Sequence, residues 1–236
     1  MKRLLIATGV VLAVLAILAA AGVAYVYYLF NHRAEGAAFE SAGVPIHYTD
    51  QGTGAPVILL HGFALNGDLT WRRTGIVDAL AKEYRVIVPD LRGHGLSGKP
   101  HDPAAYGVLL AEDVIRLMDH LRLEKAHLVG YSLGGFVTLK LAVLHPDRFH
   151  TITAGGAGWE EKANYPVMNR IRVICKQIAG NCSNTDGKST ADLPNPRFGF
   201  ATVIRLVARH LNDPEALHAI IESAPELRIS EIGRAS

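Results

Sequence analysis

The sequence predicts an α/β fold in which a doubly wound, mostly parallel sheet carries a helical lid and follows one N-terminal transmembrane helix. Three observations support this prediction. Residues 4–30 are apolar and uncharged, short apolar runs alternate with helical patterns over residues 44–158, and helical patterns without strands fill residues 159–226. Residues 31–43 are predicted to be a linker, and residues 227–236 a tail in which the fold is cut short.

The first element is the N-terminal apolar segment. Residues 4–30 would form about 40 Å of helix, which exceeds the ~30 Å hydrocarbon core of a bilayer. Three tyrosines near its end suit the aromatic belt of a membrane interface: Tyr25, Tyr27 and Tyr28. A signal peptide cleaved near the small residues 19–21 is the alternative, but its apolar region is usually only about 7–15 residues long. Both interpretations stay open, and the length favours an uncleaved anchor.

The distribution of charge along the chain indicates which partners the protein can attract and how the apolar segment is oriented in a membrane. The net charge is +2, and Lys2 and Arg3 supply both units, so the rest of the chain is neutral. A neutral domain has no electrostatic attraction for nucleic acid, which is therefore not predicted as a partner. Only Arg33 follows the apolar segment closely, so the positive-inside rule places the N-terminus in the cytoplasm. We expect a single-pass membrane protein whose domain lies outside the cytoplasm, on the periplasmic side in a bacterium.

The chain has two cysteines, Cys175 and Cys182. An extracytoplasmic location would permit a disulfide between them, whereas their spacing alone does not fix the Cα distance. A disulfide and two unpaired thiols both remain open. No Cys or His pair nearby completes a four-ligand set, so no metal site is predicted.

The order of strands and helices supports the parallel sheet. An alternating segment at 44–48 and a glycine-rich turn at 50–54 predict an early hairpin. Apolar runs at 57–60, 85–89, 126–130 and 151–154 predict strands, and helical patterns lie at 70–83, 109–121 and 133–144. The lid is predicted to contain helices at 165–179, 197–211 and 214–223 and a loop at 181–196. Because ligands bind beyond the carboxyl ends of such strands, the chemistry should follow Leu60, Pro89 and Gly130.

The segment Gly130-Tyr131-Ser132-Leu133-Gly134 fits the pattern G-x-S-x-G between a strand and a helix. A serine on this sharp turn adopts a strained backbone conformation, which requires small flanking residues such as Gly130 and Gly134. The turn projects the hydroxyl above the sheet, and the helix N-terminus favours developing negative charge. Ser132 is thus the candidate nucleophile, and a structural or phosphate-binding glycine turn is the alternative.

A second turn, His61-Gly62-Phe63, follows the strand at 57–60. Acyl transfer needs backbone N–H donors where the oxyanion develops. We expect these donors at Leu133 and at Phe63, since Gly62 permits a close backbone approach. His61 is interpreted as a residue that stabilises the turn, rather than as a general base.

The loop over residues 90–97 contains Asp90, Arg92 and His94. These side chains could be catalytic. A loop whose polar residues satisfy backbone groups and support the Ser132 turn is the favoured interpretation.

Four motifs in this order, HGF, DLRGHGLSGKP, GYSLGG and HPDRF, resemble the α/β-hydrolase fold family, and most closely its esterase, haloperoxidase-like and C–C hydrolase branch. The resemblance covers residues 44–158. It implies that Ser132 is the nucleophile, that Phe63 and Leu133 form the oxyanion hole, and that an acid and then a histidine follow later in the chain. It implies no cofactor. Dehalogenases and epoxide hydrolases are disfavoured because their nucleophile is an aspartate at the position of Ser132.

The sequence departs from this pattern after residue 226, where no strand, acidic turn or Gly-His pair follows. Candidate substitutes for the missing acid and base are disfavoured on geometric grounds: His145, His150, His210, His218, Asp186, Asp192 and Asp213. Two hypotheses follow. The first is a membrane-anchored serine hydrolase that acts on an ester or related acyl substrate through an acyl-serine intermediate. The second is a truncated or vestigial, non-catalytic relative. Five lid residues would line an acyl pocket or simply pack the lid: Trp159, Tyr165, Val167, Met168 and Ile171.

Overall fold

The structure, a computed structural model, describes residues 2–31, 33–158 and 213–223. The chain divides into two compact units, Met1–Ala34 and Glu35–Ser236. The first unit contains helix α1 (Lys2–Asn31), so the predicted helix is present. Its window Thr8–Tyr25 has the length and composition of a membrane span, criteria that signal sequences near an N-terminus also meet.

The second unit contains a six-stranded mixed sheet with the order β1-β2-β4-β3-β5-β6. The strands are β1 (Ala37–Ser41), β2 (Val44–Gln51), β3 (Ala55–Leu60), β4 (Tyr84–Pro89), β5 (Ala126–Tyr131) and β6 (Phe149–Gly155). Strands β3 to β6 pair in parallel, whereas β1 and β2 join by antiparallel pairing. The predicted mostly parallel sheet is therefore confirmed.

The first hairpin differs from the prediction. Strand β1 lies inside the segment 31–43 that was expected to be a linker, and it pairs with β2 across Ala42 and Gly43. The glycine-rich turn at 50–54 does not close a hairpin, because β4 lies between β2 and β3. Only Phe39 and Ser41 of β1 point inward. The alternation of buried and exposed residues is therefore too short to identify a strand from the sequence.

Helices α3 (Leu109–His120) and α4 (Leu133–Leu144) lie where the sequence predicts them. The helix predicted over 70–83 is instead a π-helical turn at Asp68–Arg72 followed by the short helix α2 (Ile76–Leu80). The break is at Gly75, whose φ of 79° is left-handed and ends a right-handed helix. Helix α5 (Pro214–Ser223) matches the last helix predicted for the lid.

The sheet is covered on both faces, as a doubly wound fold requires. Ile58 and Leu60 of β3 join the larger core with α3, α4 and α5, whereas Val57 and Leu59 join the smaller core with Trp71 and α2. This alternation follows from the two-residue period of a strand. The other predicted lid elements at 165–179, 181–196 and 197–211, the five pocket residues from Trp159 to Ile171, and both cysteines lie outside the described residues.

Candidate functional site: the turn at Ser132

Ser132 lies between the last residue of β5 and the first residue of α4. Its φ of 53° and ψ of −113° place it in a backbone conformation that residues with a side chain rarely adopt. Such strain persists only where the surrounding structure enforces it, and it is common at active sites. The chain thus bends sharply at Ser132, which is half-buried.

Two glycines allow this bend because a methyl group at either position would meet backbone. A Cβ at Gly130 would overlap the carbonyl oxygen of Gly134, and a Cβ at Gly134 would overlap the carbonyl oxygens of Leu60 and His61. Backbone atoms cannot rotate away as a side chain can. The close packing of β3, β5 and α4 therefore requires glycine at positions 130 and 134.

The backbone of Ser132 is held from two sides. Its N–H donates to the carbonyl oxygen of Gly155 at 2.8 Å, which ties the turn to the end of β6. Its carbonyl oxygen accepts from the N–H of Phe136 at 3.1 Å within the first turn of α4. A Cβ built at Gly62 would lie 3.4 Å from the Cβ of Ser132, so a side chain at position 62 would be in van der Waals contact with the serine.

The two candidate oxyanion donors lie on the two turns that meet here. The N–H of Gly134 donates to the carbonyl oxygen of His61 at 3.0 Å and so connects these turns. Among the described residues, the N–H groups of Phe63 and Leu133 donate to no protein acceptor. Leu133 is the first residue of α4, where an N–H has no partner within the helix. Within the described part of the chain, both groups are therefore available to a bound oxygen.

The imidazole of His61 is buried and bonded through both nitrogens. The N–H of Leu91 donates to its Nε2 at 3.0 Å, which leaves Nδ1 protonated to donate to the carbonyl oxygen of Gly62 at 2.8 Å. With both nitrogens engaged, His61 fixes the shape of the turn between Gly62 and Phe63. It is not positioned as a general base.

Asp90 links the loop after β4 to the turn after β3. Its carboxylate accepts the N–H of Gly67 at 2.9 Å and the N–H of Leu96 at 2.8 Å. Burial alone would raise the pKa of Asp90, but the His47 ring, the His61 ring and these two N–H groups together hold the pKa well below its usual value. The carboxylate of Asp90 is thus ionised, and it holds the loop after β4 against the turn after β3.

Arg92 forms a buried ion pair with Asp113 of α3. The two side chains are 1% and 5% exposed, and two guanidinium N–H groups donate to the carboxylate at 2.6 and 2.5 Å. The hydroxyl of Ser41 donates to the same carboxylate, which brings β1 into the contact. Asp113 was not among the residues predicted from the sequence to belong to the site. The available signal was a carboxylate on the otherwise apolar face of a helix.

The His94 ring lies against the turn formed by residues 61–63. It packs edge-to-face against His61 and Phe63, with centroid distances of 5.2 and 5.8 Å. Burial lowers the pKa of His94 to about 3, so the ring is neutral at physiological pH. Its Nδ1 donates to the carbonyl oxygen of Arg92 at 3.1 Å, whereas its Nε2 has no hydrogen-bond partner among the described residues.

No acid–base pair reaches Ser132 within the described part of the chain. There the serine hydroxyl has no hydrogen-bond partner, and the histidines considered as substitutes contact other groups. His145 bonds to Glu112 at 3.0 Å, His150 packs against His127, and His218 lies 3.7 Å from Glu222. Asp213 caps helix α5 by accepting from the N–H groups of its first turn. His210, Asp186 and Asp192 lie outside the described residues.

Comparison with known proteins agrees with this architecture. A family profile described as alpha/beta hydrolase fold matches residues 55–208. An epoxide hydrolase of Caballeronia sordidicola is 36% identical over 57% of this chain and 41% of its own. A 2-hydroxymuconate semialdehyde hydrolase of a Pseudomonas species is 34% identical over 57% of this chain and 46% of its own. A pimeloyl-[acyl-carrier protein] methyl ester esterase of Aeromonas hydrophila is 42% identical over 43% of this chain and 37% of its own.

The matched segment thus spans less than half the length of these curated relatives. Among solved structures, the bottromycin epimerase BotH has a TM-score of 0.61 at 22% identity, over 86% of this chain and 78% of its own. A hydrolase from Pseudomonas aeruginosa has a TM-score of 0.56 at 23% identity, over 83% of this chain and 74% of its own. These two show the fold alone. Since the family profile matches more than half of the sequence, the chain belongs to the α/β-hydrolase fold family.

Proposed function

We propose that this chain is a serine hydrolase that acts on an ester or related acyl substrate, with Ser132 as the nucleophile. The observation that carries the proposal is the strained turn at Ser132 beside the N–H groups of Phe63 and Leu133, which have no acceptor among the described residues. A nucleophile next to preorganised donors is what acyl transfer requires.

The reaction follows from this arrangement. The Ser132 hydroxyl oxygen attacks the acyl carbon and loses its proton to a base, and the carbonyl oxygen becomes an oxyanion that accepts from the N–H groups of Phe63 and Leu133. Collapse breaks the bond to the leaving alcohol, which takes a proton and leaves an acyl-Ser132 ester. Water then hydrolyses this ester and restores the serine. The N-terminus of α4 stabilises the negative charge through its dipole. None of these steps requires a cofactor.

The relatives support the hydrolase class. Those named as an esterase and as a semialdehyde hydrolase agree with attack on a carbonyl carbon. Others are named as epoxide hydrolases and haloalkane dehalogenases. We favour the acyl substrate because residue 132 is a serine, for which an acyl-serine ester is the covalent intermediate.

A second candidate, a non-catalytic binding protein that keeps the turn, is favoured by one observation. No described residue pairs with the Ser132 hydroxyl as a base. Loss of the base in a comparable triad lowers kcat by about 10⁶-fold and leaves a rate only about 10³–10⁴ above that in water. The two candidates therefore predict rates that differ by orders of magnitude.

The test uses the full chain in detergent micelles and two readouts. Hydrolysis of p-nitrophenyl esters of several acyl lengths measures turnover, and a fluorophosphonate probe with mass spectrometry measures covalent labelling at Ser132. We expect Ser132→Ala to abolish both, while Thr53→Ala, which removes an exposed hydroxyl, leaves both unchanged. Equal hydrolysis by the parent and Ser132→Ala would refute the serine mechanism. A folded chain that shows neither labelling nor turnover would support the non-catalytic candidate.

We also propose that α1 anchors the chain in a membrane, with the domain outside the cytoplasm. The support is an apolar window of 18 residues, Thr8–Tyr25, preceded by Lys2 and Arg3. Expression in bacteria, followed by a carbonate wash and intact-mass measurement, tests the anchor. We expect to find the full-length mass in the washed membrane fraction. We also expect protease added to spheroplasts to digest the domain, because the domain would lie outside the cytoplasm. A shortened chain in the soluble fraction would show a cleaved signal instead.

A further inference from the structure

Two histidines of adjacent parallel strands lie side by side away from the Ser132 turn. His127 is near the start of β5 and His150 is near the start of β6, and their ring centroids are 5.3 Å apart with a 40° angle between the planes. His127 is half-buried and His150 is exposed, so solvent and ions can reach the pair.

A β-bulge places His150 beside His127. Ala126 pairs with Phe149 and His127 pairs with Thr151, so His150 is an extra residue in β6 with no partner in the register. In a regular strand, successive side chains point to opposite faces, and His150 would then point away from the face shared by His127 and Thr151. Bulges are rare in parallel pairs, and where they occur they re-aim a side chain.

One ring is fixed in orientation by its neighbour. Nδ1 of His127 and the hydroxyl of Thr151 are 2.8 Å apart and hydrogen-bonded. This bond leaves Nε2 of His127 as the free ring nitrogen. In the described part of the chain, neither that atom nor a ring nitrogen of His150 has a hydrogen-bond partner. An oriented, unengaged imidazole nitrogen is the form in which histidine binds a metal, and the hydrogen bond to the other nitrogen is the usual support.

The spacing of the rings suits one metal ion. With a zinc–nitrogen bond of about 2.0–2.1 Å and a tetrahedral angle, two bound imidazoles have centroids about 5 Å apart. Imidazole nitrogen is a ligand for zinc, copper and nickel, whereas magnesium and calcium require oxygen. We propose that His127 and His150 chelate one Zn²⁺ ion, with water in the remaining positions.

A metal at this position would act on the sheet and not on the reaction. It would join β5 to β6 at their amino ends, whereas the carbonyl oxygen of Gly155, which accepts the N–H of Ser132, lies at the other end of β6. Gly155 lies five positions after His150, about 16 Å at ~3.3 Å per residue, so the ion would not touch substrate at Ser132. Its effect would be to hold the strand that fixes the serine backbone.

The test is a calorimetric titration of the full chain in detergent micelles with ZnCl₂ at pH 7.5. Cys175 and Cys182 are replaced by serine so that thiolates do not compete. We expect one Zn²⁺ per chain, binding weakened at least tenfold by His127→Ala or by His150→Ala, and a smaller loss in Thr151→Val. The control is His101→Ala, which removes an exposed histidine elsewhere. It should leave the affinity unchanged.

Thermal unfolding provides the second readout. Zn²⁺ should raise the Tm of the parent and leave the Tm of His150→Ala unchanged. Because His150 is exposed, its replacement should not disturb the fold, which circular dichroism in the absence of zinc checks. Parent-like affinity in both histidine variants would overturn the proposal, and so would loss of binding in His101→Ala alone.

Discussion

Replacement of Gly134 by alanine tests whether the contact between the two turns sets the geometry of the site. The new methyl group would be placed against the carbonyl oxygens of Leu60 and His61, both of which belong to the backbone at the end of β3. It would also strain the 3.0 Å hydrogen bond from the N–H of Gly134 to the oxygen of His61. Neither contact can be relieved by rotation of a side chain, so β3 and α4 must move apart.

The magnitude follows from two opposing effects. Forcing a methyl group into a well-packed interior costs about 1–3 kcal/mol, and alanine recovers at most about 1 kcal/mol through its better helix propensity. We therefore expect a net destabilisation of about 1–2 kcal/mol. The effect on catalysis should be larger, because a shift of about 1 Å between reacting groups can cost about 100-fold in rate. That shift would separate Ser132 from the N–H of Phe63.

The assays are urea denaturation followed by tryptophan fluorescence, and kcat/KM for the best p-nitrophenyl ester. If the chain lacks turnover, the rate of fluorophosphonate labelling at Ser132 replaces kcat/KM. The control is Gly22→Ala in α1, where an added Cβ would meet no atom within 4 Å. Gly134→Ala with parent-like stability and parent-like rates would refute the inference that backbone packing fixes this site.

Two further predictions concern the groups beneath the site. Asp113→Ala leaves the guanidinium of Arg92 buried without its carboxylate partner. We therefore expect urea denaturation to show a loss of about 3–5 kcal/mol in the free energy of unfolding. A loss below about 1 kcal/mol would contradict this prediction. His94 has a pKa lowered to about 3 by burial, so between pH 6.5 and pH 3 only the unfolded chain binds the proton. The free energy of unfolding should therefore fall with decreasing pH, with a contribution of up to about 1.4 kcal/mol per pH unit. His94→Phe should flatten that part of the stability curve, and an identical pH dependence in both proteins would refute the assignment.

Strong local patterns allowed the central part of the fold to be predicted from the sequence. The four apolar runs became β3 to β6, and α4 and α5 have the predicted bounds, because continuous burial and turn signals coincide there. Strand β1 was missed because only two of its residues point inward. The helix over 70–83 was overestimated because apolar spacing persists through Gly75, whereas the left-handed backbone at that residue ends the helix.

The site was predicted in part. The sharp turn at Ser132 and the neighbouring turn at Gly62 follow from motifs that each occupy a few consecutive residues, so the sequence reveals them. The ion pair of Arg92 and Asp113 and the bulge at His150 depend on contacts between distant segments or on strand register. The ion pair leaves one local signal, the carboxylate on the otherwise apolar face of α3. The bulge leaves none, because a histidine in a strand is normally exposed.

Among the described residues, the hydrogen bonds of the Ser132 backbone are made by Phe136 and Gly155, which bears on how the two functional candidates can be separated. The N–H of Ser132 is held by Gly155, its carbonyl oxygen accepts from the N–H of Phe136, and α4 begins at the next residue. None of these contacts involves a general base, so the turn and its two N–H groups are in place whether or not a base is present. A reactive phosphonate and an ester both need Ser132 to lose its proton as the oxygen attacks, whereas only turnover also needs water to hydrolyse the ester intermediate. A folded chain that neither labels at Ser132 nor turns over therefore keeps the turn and lacks the base. Labelling without turnover shows instead that the serine is activated and that a later step, or the choice of ester, limits turnover.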